Sequence, residues 1–364
     1  MKAKVSGTKK KINGTTFLLM ITILLFVVMY AAGMIVFNDK GFAKPQMFLN
    51  LFISNAGLLV IAMGETIVMI TAGIDISVGS VTALVCMVAA NQMENHGASA
   101  YTALLMALVI GLLFGLVQGF LVSYLEIQPF IVTLAGMFFG RGMTSIISTD
   151  MISIKNATFM AWAKYKIYMP FGSYSKRGKF LPAYIYPTVI IAIIVLIVII
   201  IVMKYTKFGR SVYAIGGNEQ SALMMGLNVK RTKMAAYLLD GFLAGLGGFL
   251  FCMNSCAGFV EQAKGLEMDA ISAAVIGGTL LSGGVGTPFG TLFGVLIKGT
   301  ISSLITTQGT LSSWWVRIVL SALLCFFIVL QALFAKAKIK GKKVEKKDVK
   351  KPGGAPPDEM AAEP

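Results

Sequence analysis

The stretch "TAGIDISVGS", Thr71–Ser80, lies where two apolar runs meet, Phe48 to Ile70 and Ser77 to Ala90, and its reading decides the fold. A carboxylate (Asp75), two glycines (Gly73, Gly79) and two serines (Ser77, Ser80) interrupt the hydrophobic pattern. In hydrocarbon every backbone amide needs an internal partner, so an irregular turn survives only where protein or trapped water surrounds it. Ser77 is expected to cap the helix that follows and Gly73 to take the positive dihedral that ends the one before, with Asp75 stabilised by the positive end of the following helix. Two readings stay open. Asp75 is either a cap at the membrane surface or a fixed point of a broken helix lining a polar pathway, the usual reason for an intramembrane carboxylate.

The composition sets the frame around this stretch. Of 364 residues 56% are hydrophobic and 13% charged, and the mean hydropathy is +0.79. That excludes a soluble globular domain and gives an all-α polytopic membrane protein. About ten apolar segments follow one another. They are Thr16–Phe37, Phe48–Ile70, Ser77–Ala90, Tyr101–Tyr124, Phe130–Ile147, Ala183–Met203, Met234–Ala257, Asp269–Leu281, Phe289–Thr306 and Trp314–Leu333. The first lacks a small-residue cleavage site and reads as a retained helix. Those shorter than the ~20 residues of a span are expected to be broken or re-entrant.

The net charge of +16 is concentrated in three segments: before the first span, between Lys204 and Lys233, and between Lys336 and Lys351. An even number of spans puts all three on one side. This is the positive-inside pattern, with anionic lipids as the partner and no role for nucleic acid. It implies cytoplasmic termini in a bacterial cell membrane, with a basic N-terminus over 1–15, a membrane domain over 16–333 and a largely disordered tail over 334–364. Ser148–Pro182 opposes the pattern, carrying Lys155, Lys164, Lys166, Lys176, Arg177 and Lys179 on the other side. Four cysteines (Cys86, Cys252, Cys256, Cys325) lie in apolar segments away from the lone His96 and read as packing residues, so no metal or other cofactor is expected.

A second junction, "EMDAISAAVIGGTLLSGGVGT" (Glu267–Thr287), repeats the theme: Asp269 opens a short apolar helix that closes in glycines. Short discontinuous helices in corresponding halves mark the substrate path of transporters built from internal repeats, and a repeat is possible here. Asp269 too reads as either a cap or a path residue.

Between the sixth and seventh segments lies "TKFGRSVYAIGGNEQSALMMGLNVKRTK", residues 206–233. It reads as a turn at Gly216 and Gly217, a short helix from Glu219 to Met225 capped by Asn218, and a stop at Gly226. Ala222, Leu223 and Met225 form an apolar patch able to enter another protein's groove. The chain has no Gly-x-x-x-x-Gly-Lys-Ser/Thr of its own; "GGTLLSGG" lacks the lysine that holds phosphates.

Together "GIDISVGS", "FGRSVYAIGGNEQSALMMGLNVKR" and "AAVIGGTLLSGGVGTPFGTLFGV" resemble the permease subunits of bacterial ABC importers for ribose and related monosaccharides, over about residues 48–333. "TLAGMFFGRG" (133–142) and "GTLSSWW" (309–315) look most like the galactofuranose-type members. The resemblance implies a non-enzymatic transport subunit for a pentose or hexose, galactofuranose and fructose included. It also implies a second permease copy or paralogue, two cytoplasmic ATPase subunits and an extracytoplasmic sugar-binding protein. The ATPase would couple through Arg210, Tyr213, Gly216, Gly217, Asn218, Glu219, Ala222 and Gly226.

A sugar path needs amides, hydroxyls and an aromatic face. Asn55, Asp75, Ser77, Gln118, Gln128, Thr133, Asp269, Thr279, Ser282 and Trp314 are the candidates, although an isolated Gln or Thr more often bonds a neighbouring helix and Trp often anchors at the interface. Asp240 and Lys298 depart from the resemblance and, at similar depth, are expected to pair. Glu65 is a third embedded acid without an assigned partner. The rival reading is an ion-driven secondary transporter using Glu65, Asp75, Asp240 and Asp269 as a proton relay; such a transporter has no need of the segment 206–233.

Overall fold

Glycine placement explains the centre of the molecule. The computed structural model describes residues 14–174, 178, 180–312 and 314–348, the first three and last fifteen of these as backbone only. The described helices are α1 (Gly14–Val36), α2 (Pro45–Ile70), α3 (Val78–Asn95), α4 (Ala100–Ser123), α5 (Pro129–Ile147), α6 (Ala157–Lys164), α7 (Pro187–Tyr205), α8 (Lys207–Gly217), α9 (Glu219–Met224), α10 (Val229–Ser255), α11 (Leu266–Ile276), α12 (Pro288–Gln308) and α13 (Trp314–Asp348). Strands are β1 (Ile152–Ser153), β2 (Ile167–Tyr174), β3 (Phe180–Ile185) and β4 (Ala257–Gly258).

Helix α10 is the central post. Its Gly241 and Gly245 press on the backbone of α4 at Gly111, Gly115 and Ala107, its Gly247 on α2 at Gly57 and Ile61, and its Gly248 on α3 at Thr82 and Val85. A Cβ at any of the first three would run into backbone or side-chain atoms of the neighbour, which is the close approach that small residues permit in lipid. Proline opens α2, α5, α7 and α12 within the first two positions, where its missing N–H is no loss. At the other end Gly309, at φ +82°, closes α12.

Eight of the described helices are long and apolar enough to cross a membrane: α1 (over Phe17–Val36), α2, α4, α5, α7, α10, α12 and α13 (over Trp314–Leu333). The remaining two apolar segments form α3, of 18 residues, and α11, of 11. The chain divides at Leu324; the second unit, from Cys325, continues α13, and there the rings of Phe326 and Phe327 meet edge to face. Helix α13 runs on to Asp348, and the remainder of the expected tail, with most of the basic N-terminus, lies outside the described residues.

Two small sheets accompany the helices. The segment following α5 folds into β1, α6 and the β2–β3 hairpin. β1 pairs antiparallel with β4, which follows α10, and Phe159 of α6 is fully buried edge-on to Phe249 of α10. The hairpin is tied to the start of α2: Tyr184 N–H donates to Gln46 Oε1 at 2.8 Å, and Gln46 Nε2 donates to the Tyr184 carbonyl at 3.2 Å.

Candidate functional site

The first junction is held by side chains. Asp75, 3% exposed, accepts the Ser77 N–H at Oδ1 (2.7 Å), a local turn of the kind Asp favours. The Asp75 N–H donates to Glu65 Oε1 of α2 at 3.3 Å. Ser77 does not cap α3 with its side chain; its hydroxyl instead accepts from Gln118 Nε2 of α4 at 2.8 Å. Nor does Gly73 supply the positive dihedral. Ala72 does, at φ +65°, while a Cβ at Gly73 would run into the Tyr237 hydroxyl at 2.6 Å. Thr133 of α5 donates to the carbonyls of Ile74 (3.3 Å) and Pro129 (3.0 Å), closing the turn from a fourth helix.

Asp240 of α10 joins this junction. It is fully buried, close enough to Asp75 for their carboxyls to interact electrostatically, and it sits so close to Gly64 of α2 that a Cβ there would strike it. Glu65, Asp75 and Asp240 therefore gather with the Tyr237 hydroxyl nearby, and none of the three takes part in an ion pair among the described residues. No grouping of three His, Cys, Asp or Glu among the described residues has the spacing to hold a metal ion.

The second junction is held by backbone. Residues 277–287 run between α11 and α12 with Gly278, Gly283 and Gly284 at φ +95°, +81° and +74°. The Gly284 N–H donates to the carbonyl of Ile70, the last residue of α2, at 2.8 Å, and Gly283 lies against Ala72. The two junctions thus touch each other.

Helix α8 lies over that contact. Its Gly216 packs so tightly that a Cβ would overlap the Ile70 carbonyl and meet the Gly284 nitrogen at 2.5 Å, and its Tyr213 hydroxyl donates to the Gly286 carbonyl at 2.8 Å. Gly216 and Gly217 are the end of this helix and make no turn. Asn218 does cap α9, its side chain accepting from Ser221 N–H at 2.8 Å, and Gly226 follows at φ +77°. Ala222 is buried against Ile215 and Val229, so it is not part of the expected patch; the exposed face is Leu223, Met224 and Met225, at 55%, 88% and 67%. Glu219 and Lys233 form an ion pair of 2.8 Å that fastens α9 to α10. Arg210 donates to the Tyr205 carbonyl at the start of the segment.

At the far end of α10, about 40 Å along its 27 residues, a polar cleft of ≈ 460 Å³ opens among Phe251, Ser255, Phe259, Asp269, Lys298 and Arg317. Lys298 Nζ stands 3.3 Å from Asp269 Oδ2 and donates to Asn55 Oδ1 at 3.4 Å. The expected Asp240–Lys298 pair is therefore overturned. Asp240 is level with Gly64 and Lys298 with Asn55, nine residues or about 14 Å apart along α2. Counting from the start of each apolar run misjudged the depth, because α10 begins at Val229 in the polar segment whereas α12 begins inside the second junction.

A model of the family described as "Branched-chain amino acid transport system / permease component" matches residues 47–328, which takes in both junctions, α8, α9 and the cleft. The chain belongs to this permease family. Relatives of the permease include the "Inner membrane ABC transporter permease protein YjfF" of Escherichia coli (strain K12), 41% identical over 86% of this chain and 91% of that one. The "Fructose import permease protein FruG" of Bifidobacterium longum (strain NCC 2705) is 32% identical over 90% and 95%, and the "Ribose import permease protein RbsC" of Escherichia coli (strain K12) is 34% identical over 71% and 77%. No solved structure matches it.

Within this permease the sequence candidates separate into groups. Asp75, Ser77, Gln118 and Thr133 come together at the first junction, and Asn55 with Asp269 at the far cleft. Thr279 is buried against Gly286 in the second junction, where Ser282 is exposed. Gln128 is exposed in a cleft shared with Glu126, Leu223 and Lys230, beside α9. Trp314 is exposed under the Arg317 guanidinium, 5.2 Å from its ring, at the rim of the far cleft. Missed were Glu65 and Asp240 as members of the junction and Lys298 as the partner of Asp269. Their signal was present, since an embedded charge needs a partner, but the sequence alone does not say which helix faces which.

Proposed function

We propose that this permease is the membrane subunit of an ATP-driven importer of monosaccharides, working by alternating access with ATP hydrolysed on separate subunits. The observation that carries the reading is the seat of α8, one short helix in contact with both junctions through Gly216 and Tyr213. A push on α8 from an ATPase reaches the end of α2, the turn before α3 and the turn between α11 and α12 at once. The chain carries no phosphate-binding lysine loop of its own. Leu223, Met224 and Met225 offer the apolar anchor, framed by Glu219 and Lys233. The ATPase would bind there, on the cytoplasmic side of a bacterial membrane together with both termini and the basic segments, and a second permease copy or paralogue would complete the pathway. An extracytoplasmic binding protein would deliver substrate to the opposite face. The fructose and ribose import permeases among its relatives favour sugar over the amino acids in the family description. A proton relay finds less support, because Asp269 pairs with Lys298 about 14 Å from the three gathered acids.

The test is co-purification of the ATPase with the permease after Leu223→Glu with Met224→Glu. Both side chains are exposed, so folding should hold; loss of the ATPase is the expected result, and undiminished binding would overturn the docking site.

A further inference from the structure

The far cleft has the chemistry of a sugar site, and two of its charges, Asp269 and Lys298, stand on the two helices that the second junction joins. Resting on the transport reading above, we infer that Asp269, Lys298 and Asn55, with the faces of Phe251 and Phe259, form a monosaccharide-contacting site on the face opposite the ATPase.

The volume of ≈ 460 Å³ lies within the ~300–1,000 Å³ typical of small-molecule sites. Lys298 carries three N–H donors and meets Asp269 and Asn55 at 3.3 and 3.4 Å, longer than the ~2.7–2.9 Å of a well-formed charge-assisted bond. A pair held that loosely, and only partly buried, leaves room for hydroxyls to insert: one donates to the carboxylate while its neighbour accepts from the ammonium. Two phenyl rings give the C–H face of a pyranose or furanose an apolar wall. The other charges at the rim are engaged. Glu261 pairs with Lys264 at 2.7 Å, and Arg317 donates to the Lys264 carbonyl at 3.1 Å. The Glu261 carboxyl is held below its ordinary range by that lysine, so it stays an anion of the rim.

Position links the cleft to the energy source. Asp269 lies near the start of α11, whose 11 residues, about 16 Å, lead into the junction under α8, and Lys298 lies ten residues beyond the start of α12 on the other side. Movement of the junction shears α11 against α12 and changes the separation of the two charges, which would switch the grip on a bound sugar.

The experiment uses the whole importer in proteoliposomes, with binding protein saturated by D-ribose, D-fructose or D-galactose in turn and with L-leucine as a fourth arm. Variants are Asp269→Asn, Lys298→Gln and Phe259→Leu, each checked for ATPase co-purification. The exchanged pair Asp269→Lys with Lys298→Asp serves if a single change prevents assembly. We expect the maximal uptake rate to fall about tenfold or more for the transported sugar, with the ratio of rates between sugars altered, which a merely structural defect would leave constant. Unchanged rates, or rates reduced by one common factor, would overturn the site. Import of L-leucine that depends on the same residues would also overturn it, assigning the pair to a zwitterion. Absence of any sugar uptake by the unaltered complex would instead contradict the transport reading itself.

Discussion

The two junctions solve the same problem by opposite means. Thr71–Ser77 is held by side chains, its own Asp75 and three from α2, α4 and α5: Glu65 accepts the Asp75 N–H, Asp75 accepts the Ser77 N–H, Gln118 donates to the Ser77 hydroxyl and Thr133 donates to the Ile74 carbonyl. Residues 277–287 have positive-φ glycines and meet their surroundings through backbone, at Ile70, Ala72 and Gly216. A turn held by side chains tolerates an isosteric exchange but not a truncation. A turn built on close backbone contact tolerates no added carbon. Helix α8 meets both junctions at Gly216, beside the Ile70 carbonyl and the Gly284 nitrogen, and its Tyr213 hydroxyl adds a bond to the glycine junction at the Gly286 carbonyl.

The comparison ranks substitutions. Gly216→Leu should be the most damaging, because even its Cβ overlaps the Ile70 carbonyl; destabilisation of more than about 3 kcal/mol and loss of uptake are expected, read by thermal melting in detergent and by transport. Gly284→Ala comes next. It places a side chain at φ +74° against Gly217, at a cost of about 2–3 kcal/mol, checked the same way. Asp75→Ala strands the Ser77 N–H for about 2 kcal/mol while leaving the backbone bond to Glu65 in place, whereas Asp75→Asn, which keeps an acceptor, should cost under about 1 kcal/mol. If Asn proves as harmful as Ala, the charge and not the bonding geometry holds that turn, and the contrast between the junctions fails. Tyr213→Phe has the smallest effect on melting, about 1 kcal/mol, yet should lower sugar uptake per ATP hydrolysed, because it removes the bond from α8 to Gly286.

Much of this was legible before the fold was known. The apolar segments, both junctions, the Asn218 cap and the stop at Gly226 follow from local chemistry that acts within a few residues. Contacts across the bundle do not. "GG" at 216–217 looks like a turn, and only the proximity of Ile70 reveals that the first of the pair is there for clearance within a helix. Ala222 belongs to the right helix but faces inward, leaving Met224 as the outermost apolar residue of α9. The assignment of Lys298 to Asp269 depends on where α10 and α12 begin relative to the membrane, which hydropathy leaves loose by several residues.

The most direct test of a conduit driven from outside is sugar accumulation in sealed vesicles, measured for the permease alone and again with its ATPase, binding protein and ATP. Accumulation against a gradient only in the complete assembly, insensitive to collapse of the proton gradient, is the expected result. Accumulation by the permease alone would contradict it.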